Sequence, residues 1–365
     1  MDYGNGLTIR GDCLYCPLAF GLDTYWNCPY DCTYCFCRSL NHTWGQEQRV
    51  FSPDALRAKL EAGSSNKNPR TPLAAAMRNR NTIRFGNKTD PFPPEEQQHR
   101  ATEGALRVLS ELKWSLKLET KTVTYLQPEY LKWLEPERCV VTASVSCGLD
   151  RDYRAFEPTA LPSPEERLRA LKTLADQGFQ VGVVSEPFMN GWHTVEDWQR
   201  LLEACGDYGV RRVNTYHMHL NAFVAKRLNE VPGFDLEAVW RGNEDDQWKP
   251  VLGQIIEVSE RAGVILGCPD FVNSGRYSEA SNTCCGVDVP KPTTFNFIHW
   301  KRRGLAAGRL TKIDVETTWD GVGDLEQGRQ LFDGLSSEFY GWKDLGWRRE
   351  GESWIPDSVE PQRFF

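Results

Sequence analysis

Asn27 to Cys37 reads NCPYDCTYCFC, and within it Cys28, Cys32 and Cys35 stand in the spacing C-x3-C-x2-C. Three thiolates so placed can fold round one cubic four-iron four-sulfur cluster and leave its fourth iron without a protein ligand. An iron left open can bind a substrate or cofactor, so the spacing points to chemistry. Zinc also takes thiolates, typically from C-x2-C pairs that together supply four ligands. A zinc knuckle, or a chance group of thiols, is therefore the alternative reading of these residues.

Upstream, GDCLYCP holds a second pair, Cys13 and Cys16, at C-x2-C spacing. The pair can supply half of a zinc site or of a second iron-sulfur cluster, with Cys37, Cys268, Cys284 or Cys285 as candidate partners. The alternative is that these small thiols pack in the core. Adjacent cysteines rarely ligate one metal together, which argues against Cys284 and Cys285 acting as a pair.

Around the thiol loop the chain alternates strand and helix. Leu18 to Asn27 is the strand that leads into the loop, and a helix starts at Ser52, with Pro53 in its first turn and Gly63 as its stop. A strand at Thr82 to Phe85, a turn and a helix from about Pro94 to Leu112 follow. Next come a strand at Trp114 to Thr120, a short helix in PEYLKWL and a strand at Cys139 to Cys147. SPEERLRALKTLADQG has Ser163 and Glu166 as a capping box and Gly178 as terminator. Strands at Phe179 to Pro187 and Val210 to Leu220 flank the helix in TVEDWQRLLEACGDYG. A helix around Val251 to Ala262 and a strand in VILGCPDF can add one more pair.

Six βα units in succession imply parallel strands joined by right-handed crossovers, an α/β fold of the incomplete (β/α)6 TIM-like type. Its active site belongs at the carboxyl ends of the strands. The expected organisation is an N-terminal segment with the C-x2-C pair over 1–19, the partial barrel over 20–275, and a C-terminal extension over 276–365 that can close the open side or bind substrate.

With 365 residues, 40% hydrophobic and 25% charged, the composition is that of a globular chain with a sizeable core. The first residues lack a basic segment followed by an apolar run, and no stretch approaches a membrane span. A cytoplasmic protein is expected. In that compartment the twelve cysteines are reduced thiols and metal ligands rather than a disulfide framework. The net charge of -7 argues against a uniformly basic nucleic-acid coat but leaves room for a local basic groove.

With Tyr34 as the aromatic residue before the third cysteine, the thiol loop resembles the signature of the radical S-adenosylmethionine (SAM) enzymes. The resemblance implies a 4Fe-4S cluster on Cys28, Cys32 and Cys35 whose free iron chelates SAM. An electron from an external donor such as flavodoxin or ferredoxin then yields methionine and a 5'-deoxyadenosyl radical, which takes hydrogen from substrate. NKTDPFPPEE, the TKT at 120 to 122, FEPTALPSPEERLRAL and VGVVSEPF further resemble the branch that includes spore photoproduct lyase, over roughly residues 20 to 220. From that branch, Thr89 is expected near the SAM amino group, Lys121 at its carboxylate, Ser144 near the methionyl or ribose region, and Tyr34 beside the adenine. An ammonium suits a carboxylate and hydroxyls suit either hydrogen-bond role, although a solvated lysine and a serine bonded to local backbone are ordinary alternatives.

One departure stands out. Lyase members carry a hydrogen-donating cysteine just before the second-strand turn, where this chain has Gly86 or Asn87. Cys147, at the end of the fourth strand, is the thiol that can substitute. Asn214, His217 and His219 are candidate substrate groups, the two histidines on one side of their strand. Glu186 and Asp270 also close strands. In the extension, Trp300, Lys301, Arg302, Arg303, Arg309 and Lys312, then Trp342, Lys343, Trp347, Arg348 and Arg349, interleave cations with tryptophan, as a nucleic-acid grip or as a solvated face. The favoured substrate is a nucleic-acid base or base adduct. A peptide or small metabolite, and a non-catalytic zinc or iron-sulfur module, are the alternatives.

Overall fold

The computed structural model describes residues 4–9, 18, 20–39, 49–67, 74, 77–78, 80–218, 220–267, 308–311 and 347–356. Its centre is one eight-stranded sheet whose spatial order follows the chain: β1 (Leu7–Ile9), β2 (Phe20–Leu22), β3 (Ile83–Phe85), β4 (Leu116–Thr120), β5 (Cys139–Ser144), β6 (Gln180–Phe188), β7 (Arg212–His217) and β8 (Ile265–Gly267). β2 to β8 are all parallel, with registers such as Ile83 opposite Leu116 and Leu118 opposite Val141. The two edges, β1 and β8, do not pair with each other among the described residues. This is an open parallel barrel with the six expected strands and the seventh.

Alternation along these strands divides greasy from charged side chains. Ile83, Phe85, Leu116, Leu118, Val141 and Ala143 join Leu56, Leu60, Leu106, Leu109, Leu171 and Leu174 of the helices in one core. Arg84, Lys117 and Glu119 take the opposite face. There the Glu119 carboxylate accepts from Arg84 at 2.6 Å and from Lys117. Burial alone would push Glu119 up, but the two cations pull it down to about 2.

The helices follow their start signals, but the first runs through Gly63, its expected stop, to Ser64, with Ser65 as its C-cap. α1 (Pro53–Ser64) is capped by Ser52, whose Oγ accepts from Ala55 N at 3.3 Å. The expected single helix over 94–112 is two, α2 (Glu96–His99) and α3 (Ala101–Glu111), because Arg100 between them adopts φ +52. The buried Glu96 carboxylate turns back to cap α3, accepting from Thr102 N at 2.9 Å, Glu103 N at 3.1 Å and the Tyr25 hydroxyl at 2.5 Å. α4 (Pro128–Leu131) is the short PEYL turn, and α5 (Asp150–Phe156), which also had no sequence counterpart, follows β5. α6 (Pro164–Ala175) has the expected capping box of Ser163 and Glu166. α7 (Val195–Asp207) repeats the device with Thr194 and Asp197. α8 (Ala222–Leu228) and α9 (Leu236–Gly242), which had no sequence counterpart, precede α10 (Asp245–Arg261).

Two features at the ends of the chain extend the expectation. The N-terminal segment contributes β1, antiparallel to β2 with Leu7 opposite Leu22, and so belongs to the barrel sheet. In the extension, β9 (Leu310–Thr311), β10 (Trp347–Glu350) and β11 (Ser353–Pro356) form a separate antiparallel sheet. No helix of the described residues is long and apolar enough to cross a membrane.

Candidate active site

The carboxyl ends of β2, β3 and β4 are tied together by two carboxylates. Asp23, just past β2, accepts through Oδ1 from Lys88 N at 2.8 Å and Thr89 N at 3.0 Å. Asp90 accepts from Thr120 Oγ1 at 2.9 Å, Lys121 N at 2.7 Å and Phe92 N at 2.9 Å, so the loop after β3 is laced to the end of β4. Burial pushes both carboxyls above the usual range, against the pull of these donors. Thr89 is buried within this lacing and donates from Oγ1 to Tyr25 O at 2.9 Å.

The thiol loop leaves the same end of the barrel and is held by contacts from distant segments. Thr33 N donates to Phe156 O at 2.8 Å, Tyr30 Oη to Phe92 O at 2.8 Å, and Arg227 of α8 to Cys32 O at 3.1 Å. Cys28, Cys32 and Cys35 are free thiols within electrostatic reach of one another. Burial pushes Cys28 and Cys32 up, Cys32 to about 12, while a hydrogen bond from Cys37 pulls Cys35 down. Cys37 is thus engaged with Cys35. Among the described residues no three His, Cys, Asp or Glu side chains converge as a ready-made metal site. The donor set nevertheless fits an iron-sulfur cluster in kind, three thiols on one clamped loop at the barrel mouth.

Beside the loop lies a buried ionic knot. Lys121 Nζ donates to Tyr34 Oη at 2.6 Å, Ser144 Oγ at 2.8 Å and Glu157 Oε1 at 2.7 Å. Tyr34 Oη donates in turn to Glu157 Oε1 at 2.6 Å. Arg167 spans the knot from behind, giving one arm to Glu157 Oε2 at 2.6 Å and the other to Ser144 O at 2.8 Å. Burial works against a charged Glu157, but Lys121 and Arg167 prevail and lower it to about 2. The structure therefore joins three of the sequence-derived cofactor residues, Tyr34, Lys121 and Ser144, in one network and seats Thr89 in the neighbouring one.

A second buried knot joins the loops after β5 and β6. Asp152 of α5 accepts from Ser146 Oγ, from Gly148 N at 3.0 Å, from Trp192 Nε1 at 2.9 Å and from His193 Nε2 at 2.5 Å. Because Met189 N donates to His193 Nδ1 at 2.8 Å, the ring proton belongs on Nε2, facing Asp152. Burial would raise Asp152, yet His193, Ser146 and Trp192 hold it well below the usual range. Sequence reasoning singled out none of Glu157, Arg167, Asp152 and His193. The only local signal was the helix start that places Arg167 one turn after Ser163.

The expected substrate groups are more scattered. Cys147 is buried in the core cluster that packs the sheet against the helices, and burial pushes its thiol well up. His217 ends β7 opposite Phe188, 4.3 Å from the Tyr216 ring and 5.8 Å from that of Trp248. Asn214 is buried in β7, and Glu186 precedes a cis Pro187 in β6. Gly86 has φ +85, and a Cβ there would lie 2.2 Å from Glu119 O, so this position requires glycine. Asn87 lies over Gly21, its Cγ 2.7 Å from where a Cβ would stand. His219, Cys13, Cys16, Cys268, Asp270, Cys284 and Cys285 lie outside the described residues, as do Trp300 to Arg303, Lys312, Trp342 and Lys343. Arg348 and Arg349 are exposed on β10, with the Arg349 guanidinium over the Trp354 ring.

No family model and no curated protein matches the chain. Solved structures do. A spore photoproduct lyase double mutant with bound AdoMet and dinucleoside spore photoproduct aligns with a TM-score of 0.55 at 14% identity, over 72% of this chain and 79% of that one. The same lyase complexed with dinucleoside spore photoproduct gives 0.53 over the same shares at 14% identity. SuiB from Streptococcus suis bound to S-adenosylmethionine gives 0.45 at 12% identity, over 68% of this chain and 49% of that one. The likeness to the lyase establishes the fold, the open α/β barrel found in radical SAM enzymes.

Proposed function

We propose that the protein is a radical SAM enzyme that abstracts hydrogen from an organic substrate. The observation that carries the reading is the place of Cys28, Cys32 and Cys35: one clamped loop at the carboxyl end of β2, in a barrel of this fold. These three thiols would hold the cluster. A 4Fe-4S cluster held there would supply the electron for reductive cleavage of SAM, drawn in turn from an external flavodoxin- or ferredoxin-type donor.

The chain's own residues bind and orient. Lys121 offers an ammonium beside the thiol loop, suited to an amino-acid carboxylate, and the Tyr34 and Ser144 hydroxyls are the neutral partners that hold it in the absence of a ligand. Thr89 acts by fixing the turn after β3, and Asp23 and Asp90 hold that turn against the ends of β2 and β4. His217 and His219 are the substrate-side groups of this reading, whereas Cys147, packed in the core between sheet and helices, would reach a substrate only if that packing opened. The sequence departure narrows the reaction, since Gly86 and Asn87 offer no thiol where lyase members have one. Modification or isomerisation of a nucleic-acid base or base adduct is favoured over thiol-assisted dimer reversal. The fold likeness to a lyase solved with a dinucleoside, and exposed Arg348 and Arg349, support that substrate class. By its C-x2-C spacing the pair Cys13 and Cys16 would supply half of a second metal site.

The test is anaerobic reconstitution with iron and sulfide, reduction with dithionite in the presence of SAM, and chromatography for 5'-deoxyadenosine. Wild-type protein is expected to form it and Cys32→Ala to form none. Stimulation by DNA or RNA oligonucleotides, and none by peptides, is expected to follow. A fully loaded cluster that yields no deoxyadenosine with any of these substrates would sink the reading.

A further inference from the structure

A lysine ammonium has three N–H donors, and those of Lys121 are matched by three acceptors, Tyr34 Oη, Ser144 Oγ and Glu157 Oε1. For a ligand carboxylate to be met by Lys121, one of the three must let go. They differ in what their departure leaves behind. Losing Glu157 would break a buried ion pair and leave an ammonium facing the guanidinium of Arg167 with one carboxylate fewer between them. Tyr34 Oη both accepts from Lys121 and donates to Glu157, so its release would cost the carboxylate a donor as well. Ser144 Oγ is neutral, lies on a partly exposed residue at the end of β5, and is not what Arg167 holds, since Arg167 binds the Ser144 carbonyl. A neutral hydroxyl exchanges its partner for water or for a ligand at little cost.

We propose that a ligand carboxylate joins Lys121 by displacing Ser144 Oγ, while Glu157 and Arg167 act as positioning residues that keep the ammonium in place. This rests on the reading of the site as a SAM site, with the methionyl carboxylate of SAM as the ligand group. Ser144 Oγ, once released, turns to water and leaves the carboxylate to Lys121. Arg167 holds the Ser144 backbone throughout, so only the hydroxyl moves.

The test is calorimetric titration of SAM into the cluster-loaded full-length protein under anaerobic conditions. Wild type is compared with Ser144→Ala, Glu157→Gln and Arg167→Lys, with a thermal melt of each variant. Ser144→Ala leaves Lys121 a donor in waiting and is expected to bind SAM at wild-type affinity or up to about threefold tighter, a direction that structural damage does not produce. Glu157→Gln is expected to bind about tenfold or more weakly. Arg167→Lys, which keeps the charge but loses the two-armed hold, is expected to weaken SAM binding by more than about threefold. If Glu157→Gln does not fold, the other two variants decide. Loss of more than about threefold in Ser144→Ala, or tighter binding by a folded Glu157→Gln, overturns the proposal, because Glu157 would then be the group displaced. A wild-type protein with a loaded cluster that binds no SAM overturns the cofactor assignment itself, and this inference with it.

Discussion

Lys121, one residue past β4, and Glu157, one residue past α5, meet at 2.7 Å in the interior of the protein, with Arg167 on the far side of the same carboxylate. Such a pair is weak evidence for net stability, but breaking it from one side is costly. Glu157→Gln is expected to destabilise the fold by about 3–5 kcal/mol in chemical denaturation, since two buried cations then share no anion.

The same carboxylate sets a pH dependence. Glu157 and Glu119 are both lowered to about 2 from an ordinary value of 4.5. With the folded value below the unfolded one, their contribution is complete above about pH 4.5 and is lost as the pH falls toward 2. Each is worth roughly 3 kcal/mol across that window. Denaturation midpoints measured from pH 6 to pH 2 (about 5 settings) should fall steeply for wild type and less steeply for Glu119→Gln.

Iron content separates the thiols of the loop. Alanine at Cys28, Cys32 or Cys35 is expected to abolish iron and sulfide retention after reconstitution, since in the proposed reading each would remove a cluster ligand. Cys37→Ala should keep both, because Cys37 stands outside the C-x3-C-x2-C spacing and its thiol is hydrogen-bonded to Cys35. Equal iron loss in all four variants would show a different ligand set.

Asp152 and Gly148 form a tight joint: a Cβ on Gly148 would lie 2.2 Å from Asp152 Oδ1. Gly148→Ala must push the carboxylate off its donors and is expected to cost about 3 kcal/mol or more in urea unfolding. His193→Ala, which removes one donor and orphans Met189 N, should cost about 1–3 kcal/mol. Wild-type stability in both variants would mean that the loops after β5 and β6 do not depend on this joint.

If the substrate is a nucleic acid, oligonucleotide affinity should fall linearly in log–log plots against salt. Arg348→Ala and Arg349→Ala should each reduce the slope by about one. A salt-independent signal would place the two arginines in a purely structural role beside Trp354.

The barrel was legible because its signals are local. Strand alternation, capping boxes and glycine stops located seven parallel strands and most helices, and the thiol spacing marked the loop that the site is built round. The ion knots were not legible, since Lys121 and Glu157 stand 36 residues apart and no period relates them. His193 sits in a loop, where alternation assigns no face, whereas the strand pattern drew attention to His217. The break at Arg100 was hidden because the capping group, Glu96, lies upstream of the helix it caps rather than at the usual position. β1 is three residues long and gains its stability only by pairing with β2.

The contact between Arg227 and the carbonyl of Cys32 spans 195 positions of the chain, and that of Asn221 with Ser39 spans 182. The thiol loop is made well before α8, and its clamp arrives only when α8 has been made and docked. Closing so long an interval is slow and late in folding. If Cys28, Cys32 and Cys35 hold a cluster as proposed, iron delivered to the nascent chain would meet three loose thiols, whereas iron delivered to the finished barrel would meet a prepared seat.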